Sequence, residues 1–309
     1  MDKLIAFINI SPAVRQALEK KQALVALEST VITHGMPYPE NYKLACDMES
    51  EVKAQGAVPA TVAVLKGVVQ AGLTPEELES LATGGEMIKI SPRDFAPSMV
   101  HKRSGGTTVA GTLAVAQAVG IRVFATGGIG GVHRGAPFDV STDLTMLAQT
   151  PLVVVCAGAK AILDLPATLE KLETLGVPVV GYQTDDFPAF YSRTSGLPVS
   201  ARAESPAEVA AIARTHWAMG MSSAVLVVQP PPEDVAMEAG VVEEAIQEAL
   251  DECERQKIHG QAVTPFLLRR VSELTHGSSL RANLALLLNN GRLAAQVACF
   301  IADFVEKPG

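Results

Sequence analysis

Short apolar segments recur along the chain and alternate with longer stretches that have helical periodicity. The segments with the length and β-branched content of strands buried on both faces are residues 24–27, 61–65, 121–125, 152–156, 177–181 and 224–228. This alternation predicts an α/β fold with a mostly parallel central sheet flanked by helices. In such a sheet, functional side chains lie just past the carboxyl ends of the strands.

The last part of the chain has a different pattern. Beyond the proline-rich segment 229–233, helical periodicity continues over residues 241–256, 265–276 and 280–305. Leu284, Leu287 and Leu288 give the last helix an apolar face, so we expect this helical C-terminal segment to pack on the sheet. The sequence therefore predicts a single α/β domain over residues 1–309.

Composition narrows the class of protein. A chain of 309 residues with 48% hydrophobic residues can bury a large core. No apolar run approaches the roughly 20 residues that span a bilayer, and the N-terminus lacks a signal-peptide pattern, so we expect a cytoplasmic protein without a membrane partner. The net charge of -8, without a basic cluster, argues against nucleic acid as a partner. Small anions remain possible ligands, and the four scattered cysteines indicate packing residues.

A lysine in residues 126–165 is the strongest candidate for chemistry. The strand-like run 153–156 leads through a short turn into a helical pattern over residues 161–175, which places Lys160 at or near a helix N-terminus. The helix dipole and apolar surroundings both disfavour a charged ammonium, so we expect the pKa of Lys160 to fall toward that of a usable nucleophile.

Two titratable residues follow the first predicted strand. Glu28 comes directly after the apolar run 24–27. It can be satisfied by an ion pair or a helix cap, or its pKa can be raised by apolar surroundings so that it acts as a general acid. His34 is interpreted as a turn residue, with a role in a site as the alternative.

A glycine-rich segment, residues 104–112, runs into a predicted helix over residues 109–119. Free backbone N–H groups and the hydroxyls of Thr107 and Thr108 at a helix start can bind an anion such as phosphate, together with Lys89 from a short strand. The glycine spacing is not that of a Walker-type loop, and a capped core helix is the alternative.

A second glycine-rich segment, residues 126–135, follows the strand at 121–125. Its glycines indicate backbone held close to a ligand or in left-handed conformations. Downstream, Ser141 or Thr142 is expected to cap a helix whose first turn contains Asp143. The alternative is a hard-cation site at Asp139 and Asp143 for Mg²⁺ or Mn²⁺ with several waters.

Seven stretches carry a family resemblance. They are ALEST at 26–30, GTTVA at 106–110, ATGGIGGVHRG at 125–135, CAGAKAILDL at 156–165, VGYQT at 180–184, TPFLL at 264–268 and NN at 289–290. In their order and spacing along nearly the whole chain, they resemble the pseudouridine-5'-phosphate glycosidase family. The resemblance implies a homotrimeric α/β enzyme of the lyase class with a divalent metal, typically manganese. It also implies reversible cleavage of pseudouridine 5'-phosphate to uracil and ribose 5-phosphate.

The resemblance also implies roles for matching positions. Lys160 matches the Schiff-base nucleophile, Glu28 the proton donor and Asp139 the metal ligand. The positions that match substrate contacts are Lys89, Thr107, Thr108, Val109, His133, Ser141, Thr142, Asp143 and Asn289.

The implied chemistry agrees with the residues. Uracil is joined to the ribose through carbon, so protonating a heteroatom of the base does not create a leaving group as in a glycosidase with two carboxylates. A neutral lysine can add at C1', open the ribose and form an iminium, while a general acid protonates the base carbon. Two alternatives stay open. A Schiff-base aldolase or sugar-phosphate lyase would share the lysine and the phosphate site, and a non-catalytic nucleotide-binding module would use Lys160 as a charged contact.

Overall fold

A computed structural model describes residues 3–258 and 263–302 of the chain. Its strands are β1 (Ile8–Ile10), β2 (Leu24–Leu27), β3 (Val58–Leu65), β4 (Val68–Ala71), β5 (Ile88–Ile90), β6 (Gly105–Thr107), β7 (Val123–Ala125), β8 (Val132–His133), β9 (Ala136–Val140), β10 (Val153–Cys156), β11 (Leu163–Asp164), β12 (Val179–Tyr182), β13 (Ala201–Ala203) and β14 (Val225–Val228).

The helices between them are α1 (Pro12–Glu19), α2 (Thr30–His34), α3 (Glu40–Ala54), α4 (Pro75–Thr83), α5 (Phe95–Val100), α6 (Val109–Val119), α7 (Thr142–Leu147), α8 (Leu165–Thr174), α9 (Pro206–Ala218), α10 (Ala239–Arg255), α11 (Val263–Leu274) and α12 (Ser278–Ala302). Helices α10, α11 and α12 confirm the helical C-terminal segment, although the predicted end at Val305 lies outside the described residues.

The central sheet has eleven strands, and its main path is β1-β4-β3-β2-β7-β10-β14-β12-β13. All strands from β3 to β13 along this path are parallel to one another, which confirms the predicted mostly parallel sheet. Strand β4 runs antiparallel to β3 and pairs with β1, while β6 also runs antiparallel to β3 and pairs with β5. A second, antiparallel sheet has the order β11-β8-β9.

The centre of the sheet is buried on both faces because helices cover it. Every residue of β2, β10 and β14 is buried, as expected for continuous apolar strands in a covered parallel sheet. Helix α6 packs on β2, β3 and β4, and helix α12 packs on β2, β7 and β10. The C-terminal segment therefore contributes to the central core, while the extent of the single domain over residues 1–309 stays a prediction.

Helix α12 differs from the expectation that no apolar run approaches the length of a membrane span. It is long and apolar enough to cross a membrane by length and composition alone, with a mean hydropathy of 1.4 in its most apolar window. Half of that window is buried inside the protein, where α12 also contacts α3 and α9. A core helix passes the same test, so packing accounts for its apolar character.

Two predicted boundaries near the candidate site are wrong. Helix α8 begins at Leu165 and is capped by Asp164, whose carboxylate accepts a hydrogen bond from the Ala167 N–H at 3.0 Å. Lys160 therefore precedes β11 and does not lie at a helix N-terminus, so the helix-dipole argument does not apply to it. The segment predicted as a glycine-rich turn contains strand β6.

The cysteines pack as expected. All four are free thiols, of which Cys156 and Cys253 are buried. Burial raises the pKa of the Cys156 thiol to about 12, which leaves it protonated and unreactive at neutral pH.

Candidate active site

The carboxyl ends of four neighbouring strands bring the candidate residues together. Glu28 directly follows β2, Thr126 follows β7 and Gln229 follows β14. Lys160 lies in the segment after β10, the strand between β7 and β14. The candidate side chains therefore lie past the ends of parallel strands, where ligands bind in folds of this class.

Backbone hydrogen bonds hold Lys160 in place beyond the end of its strand. The Ala157 N–H donates to the Gly127 carbonyl at 2.9 Å, and the Ile129 N–H donates to the Gly158 carbonyl at 3.1 Å. The Lys160 N–H then donates to the Ile129 carbonyl at 3.1 Å. The pairing of β7 with β10 thus continues into the glycine-rich segment and fixes the backbone of Lys160.

Arg134 fixes the segment that follows Lys160. Its guanidinium donates to the carbonyls of Ala161 and Leu163 at 3.0 and 3.1 Å, and it forms a two-pronged ion pair with Glu243 on α10. The short turn after Lys160 is therefore tied both to the glycine-rich segment and to the C-terminal helices.

The glycines of residues 126–135 make room for protein side chains. A Cβ on Gly128 would come within 2.6 Å of the Phe190 ring, and one on Gly130 would collide with the Ser141 hydroxyl. Of the glycines in this segment, only Gly135 has a left-handed φ, at +68°. Close approach of the backbone is thus confirmed for protein neighbours, whereas close approach to a ligand stays a prediction.

Glu28 lies in a buried environment that favours the protonated form of its carboxyl group. The Thr126 hydroxyl donates a hydrogen bond to it. Loss of water on burial is the largest influence and raises the pKa of Glu28, and the Asp143 carboxylate adds to this rise. Lys160, Thr126 and Lys89 act in the opposite direction but do not cancel it. Of the two alternatives for Glu28, burial therefore favours the raised pKa, which makes the residue suited to general acid catalysis.

Lys89, on β5, is the second lysine of the site. Burial is the largest influence and, together with the positive charge of Lys160, lowers the pKa of Lys89 to about 8, while Glu28 opposes the shift. At pH 7 Lys89 is therefore mostly charged, with roughly a tenth of the amine neutral. The charges of Lys89 and Lys160 both act on the pKa of Glu28, and all three residues line one cavity.

A cavity of about 240 Å³ is lined by Glu28, Lys89 and Lys160. The rest of its wall is mainly apolar and comes from α2, the segment after β12, α11 and α12, including Val31, Met36, Phe190, Leu268 and Leu287. Three potentially reactive groups in one partly apolar cavity are the usual features of a small-molecule active site.

His34 also lines this cavity, as the last residue of α2. Its interpretation as a turn residue is wrong. The Nδ1 atom lies 2.7 Å from the Thr33 hydroxyl oxygen, and burial, reinforced by the charge of Lys89, lowers the pKa of His34. His34 is therefore a neutral polar group at the wall near Lys89 at neutral pH.

The Thr107–Thr108 segment does not have the free groups that the sequence argument assumed. Thr107 is buried, and its hydroxyl donates to the Val62 carbonyl at 2.8 Å. The Thr108 hydroxyl caps α6 by accepting from the Gly111 N–H at 3.2 Å. Val109, the first residue of α6, is buried, and none of the three lines the cavity. Their contacts with a substrate stay a prediction.

Asp143 joins the second glycine-rich segment to the start of α6. Its two carboxylate oxygens accept from the N–H groups of Ala110 and Gly130 at 2.9 and 2.8 Å. Ser141 caps α7 by accepting from the Asp143 N–H at 3.2 Å, which confirms the predicted cap, and Thr142 is exposed. Asp143 therefore has a structural role, and its role as a substrate contact stays a prediction.

The donor set at Asp139 is small. Asp139 is exposed on β9, and His133 is half-buried on β8. Within residues 3–258 and 263–302, no group of three or more His, Cys, Asp or Glu side chains is arranged to hold a metal ion. One carboxylate fits only an ion that keeps most of its waters, as Mg²⁺ and Mn²⁺ do. The metal site at Asp139 stays a prediction.

Asn283 and Asn290 are two asparagines of α12 to which the sequence analysis assigned no role, although Asn290 belongs to the NN motif at 289–290. Asn290 is fully buried, donates to the Thr126 carbonyl at 2.9 Å and accepts from Gln229 at 3.0 Å. Asn283 lines the cavity, whereas Asn289 does not. The helical spacing of residues 283, 287 and 290 places them on one face and could have identified both.

The sequence and the fold both match a known protein family. A family profile described as indigoidine synthase A-like protein matches residues 13–300. An indigoidine synthase A-like protein from Thermotoga maritima has the same fold, with a TM-score of 0.88 and 35% identity over 96% of this chain and 97% of that one. The chain therefore belongs to the indigoidine synthase A-like family.

The chain is also similar over nearly its whole length to named enzymes. A pseudouridine-5'-phosphate glycosidase of Paracoccus denitrificans is 53% identical over 299 residues, 96% of this chain and 98% of that protein. One from Chloroflexus aurantiacus is 53% identical over 302 residues, 96% of this chain and 99% of that protein. The prealnumycin C-glycosynthase AlnA, solved in complex with ribulose 5-phosphate, has a TM-score of 0.88 and 37% identity over 96% of this chain and 97% of that one. These findings confirm the family resemblance of the sequence motifs.

Proposed function

We propose that this protein is a pseudouridine-5'-phosphate glycosidase that reversibly cleaves the C–C glycosidic bond of pseudouridine 5'-phosphate to uracil and ribose 5-phosphate. The observation that carries the proposal is the proximity of Lys160 to Glu28, a carboxylic acid with a raised pKa, in one cavity. The names of relatives that match almost the whole chain support it.

The first step is nucleophilic addition to the sugar. The neutral amine of Lys160 bonds to C1' as the bond from C1' to the ring oxygen breaks, and that oxygen takes up a proton. The product is an open-chain sugar phosphate that carries both the lysine nitrogen and uracil on C1'. Fixing the Lys160 backbone through Ile129 favours this step because it reduces the motion that must be lost on reaction.

The second step breaks the carbon–carbon bond. Glu28 transfers its proton to uracil C5, the electron pair of the C1'–C5 bond returns to the uracil ring, and the lysine nitrogen lone pair forms the C1'=N iminium. Water then adds at C1', and ribose 5-phosphate leaves as free Lys160 is restored. Read in reverse, the same groups join ribose 5-phosphate to uracil.

Product analysis tests this function. Incubation with pseudouridine 5'-phosphate should release uracil and ribose 5-phosphate, and the two products together should condense to the substrate. Uridine 5'-phosphate, which has an N-glycosidic bond, is the matched control and should release no uracil. A Schiff-base aldolase would form an imine with ribose 5-phosphate but would not incorporate uracil. A nucleotide-binding module would bind pseudouridine 5'-phosphate without turnover.

We also propose that Lys89 binds the 5'-phosphate, together with Thr107, Thr108 and Val109 at the start of α6. Phosphate is largely a dianion above pH 7, whereas Lys89, with a pKa of about 8, loses its charge as the pH rises through that value. The KM for pseudouridine 5'-phosphate should therefore rise above pH 8, measured from initial rates at a series of pH values.

Two controls test this phosphate contact. Lys89→Gln should raise KM by about 10- to 100-fold, the size of a lost charge-assisted hydrogen bond, and should remove its pH dependence. Lys89→Arg, which keeps its charge, should bind the substrate without a change near pH 8. Equal kcat/KM for pseudouridine and its 5'-phosphate would contradict the contact.

For the metal, we propose that Asp139 binds a divalent cation, with Mn²⁺ as the expected ion, and that Ser141, Thr142, Asp143, His133 and Asn289 contact the substrate nearby. The exposed carboxylate of Asp139 supports an ion that keeps most of its waters.

Chelation should abolish most activity, and added Mn²⁺ should restore it. Asp139→Ala should weaken Mn²⁺ binding in a calorimetric titration, whereas Asp185→Ala, at another exposed carboxylate, should not. Unchanged Mn²⁺ affinity in Asp139→Ala would contradict this role.

We further propose a homotrimer in the cytoplasm, on the resemblance and the composition. Light scattering should then give a particle of three times the 32.4 kDa of one chain. A monomer at enzyme-assay concentrations would contradict the homotrimer.

A further inference from the structure

The segment after β12 holds an aromatic residue in an unfavourable backbone conformation. Phe190 has a φ of +64°, in the left-handed region that bulky side chains rarely adopt. Hydrogen bonds hold the turn: the Ala189 N–H donates to the Ser192 carbonyl at 3.0 Å, and the Tyr191 N–H donates to the Ala189 carbonyl at 2.8 Å. Strain of this kind persists where surrounding structure enforces it, and it is concentrated at functional sites.

Gly128 and Gly158, which follow strands β7 and β10, leave room for this segment. The Phe190 ring occupies the space that a Cβ on Gly128 would need, and the Pro188 carbonyl occupies the space beside Gly158. Tyr191 packs against Phe190 edge to face, with the ring centroids 4.8 Å apart and an interplanar angle of 81°. Gly128, after β7, therefore leaves room for the ring of Phe190, and Gly158, after β10, leaves room for the backbone at Pro188.

The Phe190 ring lies next to the backbone that holds Lys160, the proposed nucleophile. Gly128 precedes Ile129, whose carbonyl accepts the hydrogen bond from the Lys160 N–H. Phe190 is only 3% exposed, and what remains accessible lines the same cavity as Lys160 and Glu28. A small accessible part of an aromatic ring is therefore held beside the groups proposed to react.

We propose that Phe190 supports the uracil ring of the substrate and sets its plane relative to Glu28. This inference rests on the proposed function. The electrons at uracil C5 that accept a proton are π electrons, so the acid must approach from above or below the ring plane. An aromatic ring can hold a flat base through an edge-to-face contact, which needs little accessible area, defines the plane of the base and makes no demand on its hydrogen-bonding edge. Phe190 is then a specificity residue for the base, with no contact needed to the sugar phosphate.

The test separates a contact with the base from a purely structural role. Phe190→Ala should lower kcat/KM for pseudouridine 5'-phosphate by about 3- to 10-fold, the size of one edge-to-face aromatic contact. Borohydride trapping of ribose 5-phosphate on the same variant should proceed at the wild-type rate, because that reaction involves no base. Uracil should become a weaker product inhibitor, while inhibition by ribose 5-phosphate stays unchanged.

Further variants keep the test decisive if the alanine variant does not fold. Phe190→Leu fills the space without an aromatic face and should show the same selective loss, whereas Phe190→Tyr should retain activity. Equal losses in uracil release and in trapping would assign Phe190 a structural role and overturn the inference, as would wild-type kinetics in Phe190→Leu. Failure of the proposed function would be seen separately, as wild-type protein that releases no uracil.

Discussion

Replacing Lys160 by alanine should abolish turnover and leave the fold intact. The side chain is proposed to supply the nucleophile, and losses of such a group in other enzymes reduce kcat by factors on the order of 10⁴ or more. The fold should survive because the hydrogen bond that fixes this segment comes from the backbone N–H of Lys160 to the Ile129 carbonyl. Uracil release from pseudouridine 5'-phosphate measures the first effect, and thermal unfolding measures the second.

Two further variants test whether the loss of activity is specific to the amine of Lys160. Lys160→Arg should be as inactive as Lys160→Ala, because a guanidinium stays protonated and cannot form an imine. Lys171→Ala, at an exposed lysine of α8, should behave as wild type. If Lys160→Ala kept a rate within tenfold of wild type, Lys160 would not be the nucleophile.

Replacing Glu28 by glutamine should stop the second step but spare the first. A glutamine cannot deliver a proton to uracil C5, and loss of a general acid slows a reaction by about 10²- to 10⁴-fold. Addition of Lys160 to C1' does not need this proton, so an adduct with the full mass of the nucleotide, uracil included, should accumulate. Intact-protein mass spectrometry after mixing measures it.

The Thr126 hydroxyl provides a graded control for Glu28. Its hydrogen bond lowers the pKa of Glu28, so removing it in Thr126→Val should raise that pKa further. Because the protonated acid is the active form, the alkaline limb of the kcat–pH profile should move to higher pH in Thr126→Val. A shift to lower pH, or an adduct in Glu28→Gln that has already lost uracil, would contradict the role of Glu28 as the acid.

The strands that hold the site could be predicted because their signal is local. Leu24–Leu27 and Val153–Cys156 are continuous apolar runs buried on both faces, so sequence alone located β2 and β10 with their ends near Glu28 and Lys160. The position of Lys160 relative to α8 was missed because the apolar residues from Ala161 onward fit a helical pattern. Asp164, followed by Pro166, was the helix-start signal that places the boundary correctly.

Other features of the site depend on contacts between distant segments. Gly128 must be small because Phe190, far along the chain, occupies the adjacent space. Lys89 reaches the site through the pairing of β5 with β6 and of β6 with β3, which no local pattern encodes. The predicted free groups at Thr107 and Ala110 are bonded by Val62 and Asp143, partners that only the folded chain brings together.

Lys89 is the main competitor for the role of nucleophile. Its pKa of about 8 leaves part of the amine neutral at neutral pH, and it lines the same cavity as Lys160. Its placement on β5, outside the adjoining ends of β2, β7, β10 and β14, favours a role in binding over one in addition to C1'.

Borohydride reduction during turnover tests the central claim most directly, because it converts the proposed iminium into a stable amine. The reduced protein should gain the mass of one ribose phosphate less water plus two hydrogens, and peptide mass spectrometry should locate this mass on Lys160. An adduct on Lys89, or no adduct while uracil is still being released, would contradict a Schiff base at Lys160.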